Sequence, residues 1–344
     1  MIHIIRNKKT EAYNPQKGEK AMNKPIIIIG GGITGVMAAR TLRDQGISNV
    51  LIVDKGKSVG GRMATRRVGN GRVDHGAQFF TVRTKHFQAI VNEWEQAGWV
   101  SGWFGNNHIR YKSIDGMNDL VKRLSEKLPI KLQSEVNQIE SVSRPYYKLT
   151  TSLNEQWEAE AVLITTPVPQ ALQLLQQVEL QEQVKKQLEQ ISYNPCFVLI
   201  VTLDTPSSLP DSGFLASGLP EEIDRIVDHQ KKGISKTTSL SIYSTGTWAK
   251  KQFHLPNEEI LHKMLNKIKP YLTGTIVDVQ LKRWKYSEAT NPVSAPFLIA
   301  DRNMLIAGEA FLQVNDSAKS TRVESAVLSG IAAGKALAKS MIDR

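Results

Sequence analysis

The first clear pattern in the chain is Ile26-Ile27-Ile28-Ile29, an unbroken apolar run. Such a run predicts a strand buried on both faces of a parallel sheet. A glycine-rich turn follows. Val36, Ala39 and Leu42 then alternate with Arg40 and Arg43 at helical spacing, and Gly46 ends the helix. Val50-Leu51-Ile52-Val53 is the next buried strand, closing in Asp54 and completing a βαβ unit. Further on, Met117, Leu120, Val121, Leu124 and Leu128 predict a helix over 116–128, stopped by Pro129. Strands are expected at 131–140, 146–152 and 155–165, and a polar-faced helical stretch over 168–190. Phe197–Leu203 and Ser239–Tyr243 read as strands and 257–269 as a helix. The stretch 205–235, rich in Pro, Gly, Ser and charge, reads as surface loops. Met304–Ala307 is another buried strand, and 322–341 a long amphipathic helix.

Both ends of the chain are therefore α/β in character, and the centre reads as an antiparallel insertion. The expected architecture is a dinucleotide-binding domain assembled from 22–82, 112–170 and 291–344, with a substrate domain from 83–111 and 171–290. The first two dozen residues are polar and basic, without apolar periodicity or a signal-peptide core. Because a Rossmann strand usually starts close to the true terminus, residues 1–21 are expected to be a mobile tail.

Composition narrows the classes. The 344 residues are 41% hydrophobic and 22% charged, ordinary for a globular protein. The longest apolar stretch, Pro25 to Ala39, is broken by four glycines, so no membrane helix is expected. A single cysteine, Cys196, excludes an internal disulfide or a cysteine metal cluster and fits a cytoplasmic location. It sits in an apolar run and reads as an inert core thiol. No metal site is expected. The net charge of +11 is scattered, without the basic helix or aromatic-flanked Lys/Arg run of a nucleic-acid binder. It leaves a weak preference for anionic ligands.

The strongest motif is Gly30-Gly31-Gly32-Ile33-Thr34-Gly35, a G-x-G-x-x-G between strand and helix. The first glycine makes the turn, the second lets the backbone approach a pyrophosphate, and the third lets helix pack on strand. The pyrophosphate would sit at the helix N-terminus. Asp54 follows Gly35 by 19 residues, where a carboxylate can accept from a ribose diol. The motif alone suits FAD or NAD. Two further features favour FAD. Gly60-Gly61-Arg62 offers backbone access and a guanidinium fork to a diphosphate. The late turn at Gly308-Glu309 is followed by Thr321-Arg322-Val323-Glu324, whose Thr321 and Glu324 read as a capping box opening the last helix near Arg322. A helix start aimed at a flavin pyrimidine would stabilise the charge that collects there on reduction.

These features in this order resemble the flavin-containing amine oxidase superfamily. Gly60–Thr65, Asp74-His75-Gly76-Ala77-Gln78-Phe79-Phe80, Arg283-Trp284-Lys285-Tyr286 and Arg322–Ala326 look most like its renalase-like proteins. The resemblance is dense at both ends and thin across 171–280. It implies a Rossmann-type FAD-binding α/β domain with a parallel sheet, plus an inserted α+β substrate domain with a mainly antiparallel sheet, and FAD held non-covalently. Gly30, Gly32, Thr34 and Gly35 would meet the pyrophosphate, with Ile33 between them, and Asp54 the ribose. Lys55 would lie beside the adenosine, Gly61 and Arg62 by the diphosphate or ribitol, and Val136 at the adenine. Gly76, Ala77 and Gln78 would run along the isoalloxazine. Gly308 and Glu309 would reach the ribitol, where many relatives carry Asp, and Arg322, Val323 and Glu324 would bring the last helix to the flavin C2 carbonyl. Met63 would contribute packing. Trp284 and Tyr286 would line the substrate cavity, with ordinary strand packing as the competing reading. His75 is a candidate base, although hydride transfer to flavin N5 requires none.

A second G-x-G-x-x-G, as in reductases fed by NAD(P)H, is absent, so the substrate should meet the flavin directly. The resemblance implies an oxidase of off-pathway dihydro-NAD(P) isomers, a small-molecule substrate, with O2 as acceptor. The alternatives are an oxidase of a small amine, caged by Trp284 and Tyr286, a desaturase, and, in another class, a non-catalytic FAD-binding protein. No nucleic-acid or membrane partner is expected, and a monomer is compatible with all of this.

Overall fold

The computed structural model describes residues 24–143 and 146–343, so the expected tail over 1–21 lies outside the described residues. The isoleucine run forms strand Ile26–Ile29, and its two faces feed two different cores. Ile26 and Ile28 pack with Val36, Leu42, Val327 and Leu337, while Ile27 and Ile29 pack with Val162, Ile164, Ala171 and Ile306. Each buried isoleucine contributes roughly 1.5–3 kcal/mol. That two-sided burial is why the strand carries no polar alternation.

Around it lies a six-stranded sheet in the order Leu298–Asp301, Met304–Ile306, Ala161–Ile164, Ile26–Ile29, Val50–Val53, Ile130–Lys131. All neighbours are parallel except the first pair. Helix Ile33–Asp44 covers one face beside helix Val323–Ile342. Helix Lys85–Gln96 adds Phe87, Val91 and Trp94 to that same core, so part of the 83–111 segment packs on the dinucleotide-binding side. The other face is covered by the three-stranded sheet Gln156–Ala159, Tyr146–Thr151, Val136–Ser143 and by helix Val168–Leu174.

The centre forms a five-stranded antiparallel sheet in the order Phe214–Leu215, Ile223–Asp228, Ser239–Ser244, Tyr193–Leu203, Ile276–Ala289. Helices Gly246–Gln252 and Asn257–Ile268 bury one of its faces. The opposite face, with Cys196, Val198, Tyr243 and Trp284, turns toward the dinucleotide domain. Among the described residues no helix is long and apolar enough to cross a membrane.

Three expectations need correction. The stretch 168–190 is two helices, Val168–Leu174 and Glu182–Glu189. Its apolar stripe Ala171, Leu175, Val178 falls out of step with Val184 and Leu188, so one straight helix could not bury both. The stretch 205–235 is not all surface loop. Strand Ile223–Asp228 runs through it, and Asp228, His229 and Lys232 are buried. Charge there misleads because each group finds a partner: Asp228 accepts from Ser207 Oγ and from Gln230 N at 2.7 Å. The last helix is not amphipathic in its first half, where Glu324 through Ile331 are all buried. Small residues let the first helix press against it. A Cβ on Gly330 would stand 2.3 Å from the Thr34 carbonyl oxygen.

That contact gives a stability prediction. Gly330→Ala should cost about 1–3 kcal/mol, as overpacking does. The urea midpoint should fall with the slope unchanged. An unchanged midpoint would mean that the two helices do not press together at this residue.

Candidate active site

The Gly30–Gly35 turn opens into a cavity of about 1040 Å³ that runs from the parallel sheet to the inner face of the five-stranded sheet. This sits at the upper end of small-ligand and cofactor sites. Gly30 has φ +114 and Gly35 packs so tightly that a Cβ would fall 2.1 Å from the Gly30 carbonyl oxygen. Gly32 differs: a Cβ there would meet nothing within 4 Å. Its smallness is not demanded by protein packing, and it faces the cavity. Gly32 is also the N-cap of helix Ile33–Asp44, and no side chain caps that helix. Its first N–H groups are left for an anion. A second turn abuts the first, with Gly60 N donating to Gly31 O at 2.9 Å. Asp54 ends the second strand and accepts from Gly31 N and Gly56 N, both at 2.6 Å. This end of the cavity has the shape and donors for a dinucleotide.

Farther in, the guanidinium of Arg62 makes a two-pronged pair with Glu309, one bond being 2.5 Å. Burial pulls the Arg62 pKa down, but Glu309 more than offsets it. The segment His75–Gln78 is laced to 62–64: His75 N donates to Ala64 O and Ala77 N to Arg62 O, at 2.9 and 2.8 Å. Gly76 is obligatory there, because a Cβ would come within 1.9 Å of Arg62 O.

The segment is also anchored from the other side, by residues the sequence did not single out. Lys232 Nζ donates to Asp74 at 2.7 Å, to Gln78 O at 2.6 Å and to Gln78 Oε1 at 3.0 Å. Gln78 Nε2 donates to Asp74 O at 2.7 Å and to the Tyr243 hydroxyl, and Tyr243 donates to Gly76 O at 2.8 Å. Burial works against an ionised Asp74, yet Lys232 and His229 hold its carboxyl below the usual range. No local signal marks Lys232 as special. Its partners lie more than 150 residues away.

At the inner wall the His75 ring stacks on Trp284 at 5.6 Å, and Trp284 Nε1 donates to His75 O at 2.7 Å. Tyr286 stands edge-on to Tyr193, also at 5.6 Å. His75 Nδ1 is buried without a partner. Burial, then Arg66 and Lys282, lowers the His75 pKa to about 4. Cys196 reaches this wall as well, but burial pushes its thiol up to about 11, so it is neutral and unreactive at pH 7.

The cavity wall thus gathers Gly30, Gly32, Ile33, Thr34, Asp54, Lys55, Gly61, Arg62 and Met63 with Val136 from the three-stranded sheet. Gly76, Ala77, Gln78, Glu309, Arg322 and Val323 join them, as do His75, Trp284 and Tyr286. Gly35, Gly308 and Glu324 are not among its lining residues. The expected Thr321–Glu324 box does not form. Ser325 Oγ accepts from Arg322 N at 3.0 Å instead. The Glu324 carboxylate turns away to accept from Arg83 N, Thr84 N and Thr84 Oγ1 at 3.0, 2.9 and 2.7 Å. It therefore serves the start of helix Lys85–Gln96, whose N-cap is Thr84. Among the described residues no three His, Cys, Asp or Glu side chains converge as a metal site.

Comparison with known proteins agrees with this geometry. Residues 95–338 match the family described as flavin containing amine oxidoreductase, and residues 28–94 the NAD(P)-binding Rossmann-like domain. The chain is 38% identical over 60 residues to an L-amino-acid oxidase of Neurospora crassa, covering 17% of this chain and 9% of that protein. It is 39% identical over 54 residues to polyamine oxidase 7 of Oryza sativa subsp. japonica, covering 16% and 11%. The matched segments thus span about a tenth of those relatives' lengths. In fold it resembles a provisionally named protoporphyrinogen oxidase from Exiguobacterium sp. 255-15, with a TM-score of 0.68 and 14% identity over 93% of this chain and 99% of that one. Putrescine oxidase bound to putrescine gives a TM-score of 0.66 at 14% identity over the same shares.

Two predictions follow from the charges. Lys232→Met strands the buried Asp74 carboxylate and should cost about 3–5 kcal/mol. Adding Asp74→Asn should return part of that loss in chemical denaturation; a fully additive double variant would refute the pairing. The second concerns pH. An unfolded imidazole titrates near 6.5, whereas the fold holds His75 at about 4 and His229 at about 3. Below about pH 6.5 the unfolded chain takes up protons that the folded chain refuses, so stability falls with falling pH. The urea midpoint should decline from pH 7 to 5, and His75→Gln or His229→Gln should each flatten that decline. Profiles with identical slopes would show that neither ring is held neutral.

Proposed function

The chain belongs to the flavin containing amine oxidoreductase family, and from that premise we propose that it is an FAD-dependent, renalase-like oxidase of dihydronicotinamide dinucleotides reduced at an off-pathway ring position. The residues present fit the cofactor, held non-covalently. Gly32, with open space where a Cβ would be, and the uncapped helix start beside it suit the pyrophosphate. Asp54 would take the ribose and Val136 the adenine end. Arg62 and Glu309 would reach the ribitol side, and Val323 would present the start of the last helix. When bound, FAD supplies the acceptor for a hydride from the substrate, and the electron pair passes on to O2 to give H2O2.

The observation that carries the substrate reading is the neutral His75 ring held against Trp284. A dihydropyridine becomes aromatic by losing a hydride and no proton, so it asks for no base. With a pKa near 4, His75 is a poor base at pH 7. Its ring instead offers a flat neutral surface, fixed by Trp284, against which another ring can be oriented. An alkylammonium must first lose a proton and is best met by carboxylates or an aromatic cage. The cavity's inner carboxylate, Glu309, is already committed to Arg62, and Trp284 packs one face on His75. The amine reading keeps its support in the family description. A cytoplasmic setting suits its single thiol.

The test is anaerobic mixing of the yellow holoprotein with the 2- and 6-dihydro isomers of NAD(P), with ordinary NAD(P)H and with an amine panel. The isomers alone should bleach the visible flavin band quickly, and air should restore it. Bleaching by an amine and not by the isomers would replace the reading with the amine one. A flavin that no compound reduces would favour a non-catalytic binding protein.

A further inference from the structure

We propose that Arg225 is a specificity-determining residue that binds an anionic group of the substrate, a phosphate or a carboxylate, at the inner end of the cavity. The proposal rests on the reading of this cavity as a substrate chamber and names a group in it that selects the substrate.

A β-bulge puts Arg225 there. The register of strand Ile223–Asp228 against Ser239–Ser244 slips between Ile223 and Arg225, so Asp224 is an extra residue. Ile223 and Ile226 both bury in the core under the two helices. Residues three apart in a regular strand point to opposite faces, and the bulge reconciles the two. Without the extra residue one of these isoleucines would leave that core. Arg225 is thereby set opposite Tyr243, on the face that carries Cys196 and Trp284, and it lines the cavity beside all three.

The side chain is then held from two sides. Its Nε stands 2.6 Å from Asp224, the bulge residue itself. Its guanidinium carbon lies 5.2 Å from the centroid of the Tyr243 ring, within the range of a cation–π contact. Tyr243 is fixed in turn, because its hydroxyl donates to Gly76 O at 2.8 Å. A carboxylate at Nε and a ring on the flat face leave the two terminal nitrogens, a planar pair of donors, for the cavity that the residue lines. Such a pair matches two oxygens of a phosphate or a carboxylate.

The other cations along the cavity lack this support. Lys122 lies on helix Met117–Leu124, whose Asn118 packs on Gly60 at the dinucleotide end. Lys285 is an exposed residue between Trp284 and Tyr286, with its ammonium 5.3 Å from the Tyr286 ring centroid. A long flexible ammonium must be ordered when a ligand arrives, whereas a guanidinium already braced by a carboxylate and a ring loses little freedom.

The test is thermal unfolding of the holoprotein and its variants with inorganic pyrophosphate, succinate, or sodium chloride at matched ionic strength. A ligand that binds only the folded state raises the unfolding temperature. Pyrophosphate should raise it by several degrees in the wild type and in Lys285→Gln. In Arg225→Gln the apparent affinity should weaken by about tenfold or more, as expected when a charge-assisted contact is lost, and the shift should fall to that of chloride. Asp224→Asn, which removes the carboxylate that competes for the guanidinium, should keep or enlarge the shift. A response to succinate instead, lost in the same variant, would keep the site and identify a carboxylate. If Arg225→Gln does not retain its flavin, Arg225→Lys, which keeps the charge but not the fork, serves the same comparison and should bind more weakly than wild type. Equal shifts in wild type and the Arg225 variant, an equal loss in Lys285→Gln, or no shift with either anion would overturn the proposal. The readout needs no turnover, so its failure is separate from that of the oxidase reading.

Discussion

Lys232 Nζ stands 2.7 Å from Asp74 with neither side chain in contact with water, and the two halves of the molecule are joined there. Asp74 ends the hairpin that leads into His75–Gln78, whereas Lys232 follows a strand of the central sheet. An isolated charge in either place would be costly, so the hairpin and the sheet must come together for both charges to be satisfied. Gln78, Ser241 and Tyr243 complete the arrangement by serving the carbonyl groups of Asp74 and Gly76. The inner wall of the cavity inherits its geometry from this pair. Tyr243 and Gln78 line it, and their hydrogen bonds leave them little freedom to rotate.

Close backbone approach is the second constraint. Gly76 lies on Arg62, Gly35 on Gly30 and Gly330 on Thr34, each at a spacing no side chain permits. These contacts draw the hairpin, the first helix and the last helix around one space. Where the glycine is not forced by packing, at Gly32, the missing side chain leaves room in the cavity itself.

The cavity is chemically graded along its length. The end near Gly32 is built from backbone N–H groups and Asp54, suited to fixing a dinucleotide. The end near Trp284 is aromatic, with the His75 ring stacked there and held neutral. Such grading divides labour: one end binds a cofactor that carries the difficult chemistry, and the other orients what reacts with it.

The chain by itself determined the βαβ unit, the glycine turn and the acid at the end of the second strand. These are local matters, because a strand buried on both faces must be continuously apolar and a helix must repeat at its own period. The parallel sheet with an antiparallel insertion was legible for the same reason. Side-chain partners were not. Lys232 reads as a loop residue until Asp74, 158 positions earlier, is placed beside it. Glu324 has the spacing of a capping box, yet its carboxylate goes to Arg83 and Thr84, about 240 residues away in sequence. Periodicity reports how each segment meets water or core, whereas the pairing of buried charges depends on which distant segments the tertiary fold brings together.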